Sequence, residues 1–136
     1  MDRSDLDAGC CIYLGREKFA LETRLVQGIE KMMSITKVPN APYYIKGLAN
    51  LRGNIISIID LKALLNMEFT KEEENIIIVD INEENVGLMV DNVHEVVEIS
   101  DDMVEKVNDT TSYIKGVINF KEYIVTLLEG EMLLNR

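Results

Sequence analysis

Apolar residues come in short blocks that alternate with turn-forming and charged residues, and few fall at the spacing of a helix face. Residues 10–14 and 17–22 are two such blocks on either side of Gly15-Arg16, a two-residue hairpin turn. Residues 26–33 form a third. Residues 34–43 carry Pro39 and Pro42, which cannot donate to a strand ladder, so this stretch reads as loop. Blocks 45–51 and 54–59 flank Arg52-Gly53, where glycine supplies the positive φ of a tight turn. Residues 60–66 predict one or two helical turns, capped by Asp60, with Leu61, Leu64 and Leu65 on one face. Beyond a polar, acidic joint at 70–75 lie further blocks at 75–81, 86–90, 93–99, 114–120 and 123–128. Ser100 is expected to cap a short helix start over 100–103; residues 108–112 read as loop and 130–135 as a closing helical turn.

The second half of this pattern repeats the first. Tyr44-Ile45-Lys46-Gly47-Leu48-Ala49-Asn50-Leu51-Arg52 recurs 69 residues later as Tyr113-Ile114-Lys115-Gly116-Val117-Ile118-Asn119-Phe120-Lys121. The register holds for 23 positions, to Asn66 against Asn135, with nine identities and pairs such as Ile56/Val125 and Asp60/Glu129. Upstream it continues with a two-residue slip, Val26-Gln27-Gly28-Ile29 answering Val93-His94-Glu95-Val96. A long period occurring twice predicts two similar supersecondary units. About ten short strands divided between them predict a mainly β protein of two small barrels. Neither copy has many apolar side chains of its own, so each is expected to lean on the other.

Composition adds little to that architecture but narrows the function. The net charge of −10 disfavours nucleic acid and anionic membrane surfaces as partners. No run approaches the roughly 18 apolar residues of a membrane span. The first seven residues are acidic rather than apolar, so no signal peptide is read and the expected location is the cytoplasm.

Candidate chemistry is sparse. Cys10 and Cys11 are adjacent, a spacing that disfavours a disulfide, and they open an apolar block, so both are expected as buried free thiols. Two Cys and one His do not make a metal site, and no cofactor is expected. His94 corresponds to Gln27 in the first copy and reads as a solvent-facing strand residue, with no nucleophile or orienting partner at hand. No phosphate loop, nucleophile elbow or zinc-protease motif is present, and no catalytic residue is assigned.

Residues 45–61, I-K-G-L-A-N-L-R-G-N-I-I-S-I-I-D-L, resemble the signature of CheW-like proteins. Residues 76–96, with Val90-Asp91-x-Val93-x-Glu95-Val96, resemble that family's middle, and Ile114-x-Gly116 follows in the right order. The resemblance spans about residues 10–135 and implies a non-catalytic adaptor of bacterial chemotaxis. It implies one CheW-like domain over 1–136, with two five-stranded SH3-like barrels as lobes at about 10–70 and 71–136. Exchange of strands between the lobes is left open, and residues 1–9 are expected to be disordered. The partners it implies are the regulatory domain of the histidine kinase CheA and the cytoplasmic tip of methyl-accepting chemoreceptors, reached at receptor arrays without membrane insertion. A second reading is a CheW-like module of a CheV-type protein or of a non-motility kinase pathway; a third, an unrelated small enzyme, lacks a catalytic grouping.

Carried over position by position, the resemblance points to Arg52 as the leading partner-binding residue, with Gly47, Gly53, Val26, Ile29 and Glu30 around it. Lys121 repeats Arg52 and Gly116 repeats Gly47, but Glu122 replaces Gly53, so the first turn is expected to need a backbone the second does not. The family's usual strand reads V-x-E-I, and this chain has Gly28 where the Glu belongs. Glu30, two residues on and on the same strand face, is the candidate replacement as charge partner of Arg52.

Overall fold

The computed structural model describes residues 6–67, 75–107, 113–130 and 133. Those residues form eleven strands and one short helix: β1 (Leu6–Leu14), β2 (Glu17–Glu22), β3 (Val26–Lys31), β4 (Ile45–Leu51), β5 (Asn54–Asp60), α1 (Leu61–Leu64), β6 (Asn75–Ile81), β7 (Glu84–Val90), β8 (Asn92–Ser100), β9 (Val104–Glu105), β10 (Ile114–Phe120) and β11 (Tyr123–Leu128). They make two sheets, of order β8-β1-β2-β11-β10-β9 and β3-β6-β7-β5-β4.

Each sheet draws strands from both copies of the repeat. The hairpin β1–β2 joins β8 to β11, and the hairpin β6–β7 joins β3, β4 and β5. Both insertions use the same parallel pairing: Phe19 faces Thr126 across β2 and β11, and Val86 faces Ser57 across β7 and β5. The antiparallel contacts repeat as well, Ile12 against Val93 answering Val79 against Val26. Outside the strands, the Asp60 amide donates to the Tyr44 carbonyl at 2.8 Å and the Glu129 amide to that of Tyr113 at 2.7 Å.

Alternation along the strands splits the apolar residues into three cores. Ile56, Ile58, Ile76 and Ile78 pack inside the five-stranded sheet, and Ala20, Ile118, Val125 and Leu127 inside the six-stranded one. The residues between them, including Ile59, Ile77, Val79, Phe19, Leu21 and Leu128, face a larger core shared by both sheets. Because β6 is buried on both faces, Ile76-Ile77-Ile78-Val79 is continuously apolar rather than alternating.

The sequence pattern differs from the structure in a few places. Six strands rather than five make one sheet, because β9 is only two residues long and leaves no periodic trace. In the first copy the equivalent of β9 shrinks to a single bridge, Thr36 against Leu48. The third strand ends at Lys31 rather than 33, and Met32 is exposed. Ser100 does not cap a helix through its hydroxyl; that group donates to the Asp102 carboxylate, beside a 3₁₀ turn at Asp101–Met103. Asp60 does cap α1, its Oδ1 accepting from the Ala63 amide at 3.2 Å. The segment expected to be disordered at 1–9 pairs with β8 from Leu6 onward. The acidic joint up to residue 74, the 108–112 loop and most of the closing turn at 130–135 lie outside the described residues.

Candidate functional site

The β4–β5 turn is held in a left-handed conformation at both of its residues, φ 51° at Arg52 and 88° at Gly53. Asn50 stabilises it, its Oδ1 accepting from the Gly53 amide at 2.9 Å. In the second copy neither Lys121 nor Glu122 has a positive φ, so glycine is required at one turn only. A Cβ at Gly53 would meet nothing within 4 Å, so Gly53→Ala carries a conformational cost alone. It is expected to lower stability by about 1–2 kcal/mol. Glu122→Ala should stay within roughly 0.5 kcal/mol in the same denaturant titration. Equal losses at the two turns would contradict this.

The turn projects Arg52 across the open end of the five-stranded sheet to β3. Arg52 Nη2 lies 2.7 Å from Glu30 Oε2, with side-chain exposures of 71% and 25%. Glu30 thus occupies the charge-partner position read for it in the sequence. Gly28 leaves a gap beside the pair, where a Cβ would meet only Glu30 Oε2, at 4.0 Å. An ion pair this exposed contributes about 0–1 kcal/mol to folding. Its guanidinium is therefore not committed to holding the fold.

The other candidates divide around this pair. Ile29, next to Glu30 and on the opposite strand face, is 48% exposed, and Ile55 beside the turn is 70% exposed. Val26 is half-buried and packs on the shared core. Gly47 is buried against Thr36. The structure therefore brings together Arg52, Gly53 and Glu30; it puts Ile29 on the other face of β3, Val26 on the shared core and Gly47 against Thr36.

The equivalent end of the six-stranded sheet is tied by different chemistry. Tyr123 donates to Glu95 Oε2 at 3.2 Å, and Lys18 Nζ sits 3.7 Å from the Tyr123 ring centre and 5.5 Å from that of Tyr13. Desolvation pushes the Tyr123 hydroxyl up, against the opposing pull of Lys18. His94 is exposed and leans on Tyr13. The sequence does not point to this cluster, because neither tyrosine recurs in the other copy: Asp80 answers Tyr13 and Asn54 answers Tyr123.

A second unforeseen feature is a buried ion pair. Lys62 Nζ lies 2.7 Å from Asp91 Oδ1, with side chains 3% and 0% exposed. Asp91 Oδ2 accepts from the Gly15 amide at 2.5 Å.

Cys10 and Cys11 are free and buried, and burial raises both thiols, with Glu95 raising Cys11 further. Among the described residues, no group of three or more His, Cys, Asp or Glu could hold a metal ion. No helix among them is long and apolar enough to cross a membrane.

The CheW-like domain family matches residues 8–136. The chain belongs to the CheW-like family. Its relatives include the chemotaxis protein CheW of Klebsiella aerogenes, 30% identical over 129 residues covering 90% of this chain and 78% of the relative. The CheW of Bacillus subtilis is 28% identical over 128 residues, covering 88% and 81%. The scaffolding protein TtCheW from Thermoanaerobacter tengcongensis superposes with a TM-score of 0.86 at 31% identity, over 93% of this chain and 86% of that one. This CheW-like chain is accordingly a non-catalytic chemotaxis adaptor, built as two β-sheet bodies.

Proposed function

We propose that this adaptor couples the cytoplasmic tips of methyl-accepting chemoreceptors to the regulatory domain of the histidine kinase CheA within receptor arrays. Arg52, Glu30, Ile29 and Gly53 form its contact face, while Val26 and Gly47 support that face from below. The observation that carries this reading is the exposed Arg52 guanidinium. A left-handed turn aims it and Glu30 holds it, yet it contributes little to the fold. Exposed Ile55 next to the turn, and exposed Ile29 on the outer face of β3, supply apolar area of the kind a protein contact needs around a charged anchor.

Titration calorimetry with a CheA regulatory domain and with a receptor tip fragment tests the reading. Arg52→Glu is expected to weaken at least one of the two by tenfold or more, with an unchanged circular dichroism spectrum. Retention of both affinities by the variant removes Arg52 from the contact face. Absence of binding to either partner by the parent protein at micromolar concentrations ends the coupling reading itself.

A further inference from the structure

Asp91 is the single residue between β7 of the five-stranded sheet and β8 of the six-stranded sheet. Its carboxylate is held from both sides of that crossing. Oδ1 meets Lys62 of α1, which directly continues β5, at 2.7 Å. Oδ2 meets the Gly15 amide in the β1–β2 turn at 2.5 Å, and the Asp91 amide donates to the Tyr13 carbonyl at 3.1 Å. Asp91 therefore ties the joint to both bodies, by an ion pair to Lys62 and by hydrogen bonds to Gly15 and Tyr13 of the β1–β2 hairpin.

The remainder of the shared core is apolar, and apolar burial is non-directional. It holds the sheets together without strongly selecting the angle between them. A buried ion pair differs: its desolvation offsets most of its attraction, so it adds little net stability, while its short contact favours one placement of its two ends. The repeat marks the same crossing in the other copy, where Asp91 corresponds to Arg24 and Lys62 to Glu131, with the charges reversed.

We propose that Lys62 and Asp91 are a positioning pair that sets the angle between the two sheets. The consequence for partners, a fixed spacing between the Arg52 face and the Tyr123 face, rests on the adaptor function; the angle itself does not. The test uses the full chain with spin labels at Lys46→Cys and Glu122→Cys, both exposed, while the native thiols are buried and inaccessible to the label. Double electron–electron resonance on the parent should give one narrow distance distribution. Lys62→Met combined with Asp91→Leu replaces the pair by apolar side chains of similar volume, and water can reach the half-buried Gly15 amide that loses its acceptor. This double variant should melt cooperatively within about 5 °C of the parent, since such replacements are often neutral. Its distance distribution should shift or broaden, whereas Lys62→Arg should keep the parental one. An unchanged, narrow distribution in the double variant overturns the proposal. So does failure of the double variant to fold, because the pair would then be a requirement of folding rather than of orientation.

Discussion

Replacing Lys62 alone with methionine is expected to destabilise the protein by about 3–5 kcal/mol, because it strands the Asp91 carboxylate in the core. Asp91 is fully buried, and after the substitution the Gly15 amide is the one polar group among the described residues that still meets its side chain. That single neutral donor does not replace an ammonium at 2.7 Å. The loss compares with a total stability of roughly 5–15 kcal/mol for a domain. It corresponds to a fall in melting temperature on the order of 10–20 °C. Thermal and denaturant unfolding followed by circular dichroism measure it directly. A loss under about 1 kcal/mol would mean that water or a local shift satisfies Asp91 in the variant. The contrast with the paired replacement is informative: one substitution leaves a charge without a partner, and the second removes that charge.

The strand blocks were legible because a half-buried strand writes a period of two into the chain and its turns need particular residues. Gly15-Arg16 and Arg52-Gly53 show this, each with left-handed backbone at its glycine. Where a strand lacked either signal it escaped notice. Val104–Glu105 is too short for a period, and its partner Ile118 reads the same with or without a neighbour. The repeat showed that two like bodies exist but not which strands belong to which sheet. Both hairpins β1–β2 and β6–β7 are compatible with either body, because the copies share one apolar pattern. The pairings of Phe19 with Thr126 and of Val86 with Ser57, with those of β1 to β8 and β3 to β6, distinguish the exchanged arrangement from a sequential one.

The candidate face was legible through the resemblance and then through simple strand geometry. Glu30 follows from counting two residues along β3 from Gly28, and it meets Arg52. The Lys62–Asp91 pair was not legible, since a lysine on a four-residue helix normally reads as solvated and no periodicity links it to a position 29 residues away. The Tyr13, Lys18 and Tyr123 cluster was hidden for a related reason. Tyr13 and Lys18 face each other within the β1–β2 hairpin, but Tyr123 on β11 joins them only through the hairpin exchange.

Gly47→Ala should be among the most damaging single substitutions in the chain and should separate backbone from contact roles at the motif. Gly47 has φ 154°, a conformation that side-chain-bearing residues rarely adopt and that costs about 1–3 kcal/mol. A Cβ there would fall on the Thr36 carbonyl oxygen and within 2.8 Å of Ile35 Cγ2. That carbonyl accepts from the Leu48 amide at 2.8 Å, so it cannot withdraw without opening the bridge between the 34–43 loop and β4. Overpacking of this kind adds about 1–3 kcal/mol, for a combined loss of about 2–6 kcal/mol. Gly116 offers the internal comparison. A Cβ there would crowd Val104 Cγ1 at 2.5 Å and the Glu105 carbonyl oxygen at 2.6 Å, but its φ lies outside the left-handed range. Gly116→Ala should therefore cost less, about 1–3 kcal/mol, because the overlap remains and the torsional strain does not. Denaturant titration of the two variants side by side reads the difference. If Gly47→Ala instead unfolds like the parent protein yet loses binding to a CheA regulatory domain or a receptor tip, Gly47 touches a partner directly, and the supporting role assigned to it is wrong.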